Sequence, residues 1–188
     1  MKNLAYIFIA ILICSCRHGN KNNFTDVVGA DNKKIPKAEI DNLVKKYQTE
    51  DFSAFKNVVI TIGLSDSFKT TYTLNRFNKN SAVYFVTVNE SKNKITGITN
   101  PELQQQKGKD YFTASQIDVL INKFRKLDFK FLSVDDDSDV FINPFYAGHP
   151  PCLIRLAKKS NLNSLKITSD FKHYKDDWYI DKSLIDPH

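Results

Sequence analysis

Between Asn57 and Asn100 the apolar side chains recur at every second position, and short polar stretches cut the run into four pieces. A period of two is the signature of a strand with one face buried, whereas a helix repeats every 3.6 residues. Val58-Val59-Ile60-Thr61-Ile62 reads as one strand and residues 68–77 as a second, with Gly63-Leu64-Ser65-Asp66-Ser67 turning between them. Residues 81–89 give a third, and Glu90-Ser91-Lys92-Asn93 turns into a fourth at 94–99, ended by Asn100-Pro101. Parallel neighbours need a crossover of about a dozen residues or more, so turns this short dictate an antiparallel sheet.

Helices flank this block. Pro36 suits a first helical turn, and Ile40, Leu43, Val44 and Tyr47 form one apolar stripe, which predicts a helix over 36–48. Thr113 and Gln116 have the spacing of a capping box, and Ile117, Leu120, Ile121, Phe124 and Leu127 line the helix it opens. Residues 104–110 read as a polar loop. Residues 129–134 and 140–143 read as a hairpin, 152–157, 164–168 and 178–181 as three more short strands, and 172–177 as a turn. The chain has 14 Phe, eight Tyr and one Trp, against six Gly and six Pro, so an aromatic core is expected. No period of 20–50 residues recurs, which argues against a solenoid or propeller. The fold class expected is α+β: a mainly antiparallel sheet with at least two packed helices, in a single domain over residues 36–188.

The N-terminus speaks to location. Met1-Lys2-Asn3 is a basic start, and Leu4 to Ile13 is an uncharged apolar run. As a helix that run covers only about 15 Å, half of a bilayer's hydrocarbon, so it reads as an export signal. Ile13-Cys14-Ser15-Cys16 resembles the lipobox of bacterial lipoproteins. The resemblance implies cleavage after Ser15, diacylglycerol on the Cys16 thiol and acylation of the new amine. Residues 1–15 are then a lipoprotein signal peptide, and 16–35 a lipidated cysteine with a flexible tether. Several acyl chains make a lasting anchor where a single chain is marginal. Arg17, in place of an acidic residue, fits the outer membrane facing the periplasm. Cys152 is left as the sole free thiol, so an internal disulfide is not expected.

Four features invite a chemical reading. Asp135, Asp136, Asp137 and Asp139 begin like a calcium loop, but Val140 stands where that loop needs Gly and Tyr146 where it needs Glu. A looser cation site and a solvated hairpin turn both remain open. His149 and Cys152 lie three apart and combine an imidazole with a thiol, a pairing suited to metal binding or nucleophilic chemistry; a rigid loop leading to a buried Cys is the plainer reading. Gly63 to Ser67 lacks the last Gly of a nucleophile elbow. Neither GxxxxGK nor GxGxxG occurs, so no nucleotide cofactor is expected.

Fourth, residues 143–151 gather Phe145, Tyr146 and His149 among prolines, and rigid aromatic side chains suit protein recognition because little entropy is lost on binding. The net charge of +6 suits an anionic lipid surface, while export argues against nucleic acid as a partner. The sequence therefore leads to an expectation of a lipid-anchored cell-envelope protein that binds a macromolecule, as an assembly factor or as an immunity-type inhibitor of an incoming effector. The alternative is an envelope enzyme or metal-binding protein with a site near His149, Cys152 and the Asp135 to Asp139 turn.

Overall fold

Tyr72, Leu74, Val86 and Val88 alternate along the chain with Thr71, Thr73 and Thr87, and the alternation becomes two faces of one sheet. The computed structural model describes residues 34–77, 83–105, 112–162, 165 and 170–185. Among them nine strands pair: β1 (Val58–Ser65), β2 (Lys69–Arg76), β3 (Tyr84–Asn89), β4 (Lys94–Thr99), β5 (Phe131–Val134), β6 (Val140–Asn143), β7 (Leu153–Arg155), β8 (Phe171–Lys175) and β9 (Trp178–Asp181). Their order is β4-β3-β2-β1-β5-β6-β7-β9-β8, with every neighbouring pair antiparallel. The fold is α+β, and the described residues fall within one compact unit.

Helix α1 (Lys37–Tyr47) turns Ile40, Val44 and Tyr47 onto one sheet face, and α3 (Ala114–Phe124) turns Ile117, Leu120, Ile121 and Phe124 onto it. Each such burial stabilises by roughly 1.5–3 kcal/mol, so these stripes hold the helices in place more than propensity does. Between them in the chain, α2 (Pro101–Gln104) is a single turn capped by the Asn100 side chain, which accepts from the Leu103 N–H at 3.0 Å. The other face carries a smaller cluster around Phe141, Ile154, Leu156 and Phe171, with Phe77 stacked on Phe141 at 5.8 Å.

Four expectations shift. Residues 171–175 form strand β8, where a turn was expected over 172–177; the reversal is confined to Asp176, at φ 52°, and Asp177. Lys172 and Lys175 made the segment look solvated, and they sit on an edge strand, where lysines discourage further pairing. β1 runs on to Ser65, so the turn is shorter than the sequence implied. Residues 101–104 form α2, which takes in Gln104, the first residue assigned to the polar loop. Ile35, assigned to the tether, is buried and its N–H donates to the Leu184 carbonyl at 3.0 Å. The signal segment, Cys16 and all of the expected strand at 164–168 except Leu165 lie outside the described residues.

Candidate functional site

Strand β6 separates the candidates. The acidic residues precede it and the aromatic loop follows it, and four strand residues span roughly 13 Å. Asp135 to Asp139 therefore lie at one end of the sheet, and His149 at the other. The carboxylates are engaged locally. Asp135 Oδ1 accepts from the backbone N–H of Asp137 at 3.0 Å and of Asp139 at 2.8 Å. Asp139 Oδ1 accepts from the Ala157 N–H at 2.7 Å, and Asp136 Oδ1 from the Asn57 amide at 2.5 Å. Burial pushes the Asp135 carboxyl above the usual carboxylate range. Among the described residues, no three His, Cys, Asp or Glu side chains converge as a metal ion would require.

Cys152 is 4% exposed, and burial, with Asp181 nearby, pushes its thiol up to about 12. It is a protonated core group at neutral pH, without the thiolate a nucleophile needs. His149 is exposed, its ring 5.4 Å from that of Tyr146.

The loop itself is built. Asn143, 2% exposed at the end of β6, accepts through Oδ1 from the N–H groups of Phe145 and Tyr146, both at 3.0 Å, and donates through Nδ2 to the Pro150 carbonyl at 2.7 Å. One amide thus fixes both ends of the loop. Gly148 takes φ 75° at its crest, a conformation that costs an L side chain strain. Phe145 and Tyr146 are half-buried against the helix-side core, with ring centroids 6.2 Å apart. Where the loop leaves β6, Pro144 borders a cleft of about 190 Å³ walled by Leu43 and Tyr47 of α1 and by Leu127 and Phe129. Pockets that hold drug-sized ligands measure roughly 300–1,000 Å³, so this smaller cleft suits a single side chain of a partner. Lys46 and Asp128 meet at its rim at 3.4 Å, both exposed, a solvent-screened pair that is easily parted.

The sequence singled out Phe145, Tyr146 and His149 but missed Asn143, which reads as one polar residue among many until its three bonds are seen. It missed the cleft as well, because α1 and residue 144 are brought together only by the sheet. Compared with protein-family models, curated proteins and solved structures, the chain matches none.

Proposed function

We propose that this chain is a lipid-anchored protein of the bacterial cell envelope, held through Cys16 in the outer membrane facing the periplasm, whose domain binds another protein through the loop bearing Phe145, Tyr146 and His149. An assembly factor or an immunity-type inhibitor of an incoming effector fits this description. The lipobox-like Ile13-Cys14-Ser15-Cys16 supports the anchor. Among the described residues no helix is long and apolar enough to cross a membrane. The observation that carries the binding reading is the aromatic loop tied down by Asn143 beside a side-chain-sized cleft. Such a surface is organised before the partner arrives, so binding costs little ordering entropy. Anchoring adds local concentration at the membrane.

The test compares the detergent-extracted wild-type chain with Tyr146→Ala and His149→Ala in affinity capture. One stoichiometric partner that is retained by the wild type and lost from both variants is the expected result; a partner retained equally by all three overturns the loop's role. For the anchor, Cys16→Ser is expected to leave the membrane fraction and to lack the diacylglyceryl mass. Unchanged fractionation and mass would sink that half of the reading.

A further inference from the structure

The tip of the β1–β2 hairpin points two large apolar side chains at water. Leu64 is 87% exposed and Phe68 67%, the highest values among the large hydrophobic residues described. The backbone beneath them is fixed. Asp66 Oδ1 accepts from the N–H groups of Phe68 and Lys69, both at 2.7 Å, the Asp66 N–H donates to the Lys69 carbonyl at 2.9 Å, and the Phe68 carbonyl accepts from the Glu90 N–H at 2.8 Å. Gly63 lets the strands close up at this point, since a Cβ there would stand 3.1 Å from the Thr71 carbonyl oxygen. Exposure is therefore a property of a rigid turn.

The surroundings are basic. Strand directions place the β3–β4 turn and the start of β5 at the same end of the sheet, and with Lys69 they bring Lys92, Lys94 and Lys130 round the tip. The acids there are outnumbered: Asp66 keeps its charge within the turn, Glu90 pairs with Arg125 at 2.7 Å, and Asp128 pairs with Lys46 at 3.4 Å. The chain also enters the domain at this end. Ile35 bonds Leu184, just beyond the end of β9, and that end of β9 aligns through β7 with the end of β6 that leads into the aromatic loop. The stretch from Cys16 to Lys34 reaches at most roughly 68 Å when fully extended, so an anchor at Cys16 keeps this end of the domain within reach of the bilayer.

We propose that the β1–β2 tip is a second membrane contact, with Leu64 and Phe68 inserted among the acyl chains of an anionic leaflet and Lys69, Lys92 and Lys94 at headgroup level. It rests in part on the Cys16 reading, which supplies the proximity; the insertion chemistry belongs to the tip alone. A convex apolar pair ringed by lysines matches a surface that is anionic outside and apolar beneath. With the tip seated, the aromatic loop at the same end faces the membrane plane, so its partner is a protein at that surface.

Phe68→Trp in the full chain tests the contact, since the one native tryptophan, Trp178, is fully buried and gives a constant background. With vesicles of phosphatidylethanolamine and phosphatidylglycerol, the new indole is expected to shift to the blue and to be quenched by acyl-brominated lipid, less so with phosphatidylcholine alone. Adding Leu64→Ser should raise the lipid needed for half-quenching by about tenfold. Far-UV circular dichroism should not change, because both side chains stand in solvent. An indole that stays solvent-like on anionic vesicles overturns the proposal, as does one shielded only when a protein partner is added. Repeating the measurement in Cys16→Ser separates the two claims: quenching there upholds the tip whether or not lipid is attached, whereas a lipidated chain with an unquenched indole keeps the anchor and loses the tip.

Discussion

Asn143 has more structural consequence than its sequence context announces. It satisfies two loop N–H groups and one carbonyl from a nearly solvent-free position, and a buried donor or acceptor left unmade costs about 1–3 kcal/mol. Asn143→Ala is expected to destabilise by roughly 3 kcal/mol and to speed amide exchange at Phe145 and Tyr146; unchanged exchange would mean that the loop is held elsewhere. Asp135 behaves in the opposite way to an ordinary surface acid. Its folded pKa lies above the reference 3.8 because burial disfavours the charge, so the folded state holds the proton more tightly than the unfolded one. Stability then falls as pH rises from the reference value through the raised one. Asp135→Asn keeps an oxygen for the Asp137 and Asp139 N–H groups without the charge. Its melting temperature is expected to gain on the wild type as pH rises towards neutral and to lose that gain in acid, whereas Asp135→Ala loses stability throughout. A gap that widens in acid contradicts this account. The sequence showed the acidic run plainly, but a cation loop and a self-satisfied turn use the same residues, and only the direction of each carboxylate tells them apart.

At the level of elements, what could be read in advance was what is local in the chain. Thr113 and Gln116 cap α3 reciprocally, at 3.2 and 2.8 Å, as their three-residue spacing implied. The end of α1 was legible to within a residue, at Tyr47 against an expected 48, but its cap was not, because it comes from a strand more than a hundred residues away. Arg155 on β7 donates to the carbonyls of Tyr47 at 2.9 Å, Gln48 at 3.3 Å and Glu50 at 3.0 Å, while its guanidinium lies over the Phe52 ring at 4.7 Å. Three carbonyls and a ring face make use of a planar, multiply donating cation. Arg155→Lys is therefore expected to recover only part of the roughly 2–4 kcal/mol lost in Arg155→Ala, judged by urea midpoints. Equal midpoints for wild type and lysine variant would show that charge alone matters. Strand β8 was missed for a related reason: its partners are its neighbour β9 and, through Tyr174, Asp41 of α1, and neither contact leaves a mark on the local pattern.

Across the whole molecule, the chain's first helix rests on its last strands. Tyr174 donates to Asp41 at 2.9 Å, Gln48 donates to Asp176 at 2.8 Å, and Arg155 spans from β7 to the end of α1. These links close long loops before any of them contributes, so they form late compared with the hairpins between consecutive strands. They are expected to make it a single cooperative unit, although α3 packs over one half of the sheet, where Phe124 meets Tyr72 at 6.0 Å, and α1 over the other. Trp178 is fully buried on β9, with the Arg155 guanidinium 5.9 Å from its ring. Its fluorescence therefore reports the C-terminal half, while far-UV circular dichroism reports all the elements. The two denaturation curves are expected to coincide within error. Removing residues 171–188 should unfold α1 and the β1–β4 half together, instead of leaving a trimmed native domain. If the tryptophan signal moves at lower denaturant than the ellipticity, the β8–β9 hairpin frays by itself, and the closure of the chain through α1 is weaker than its hydrogen bonds imply.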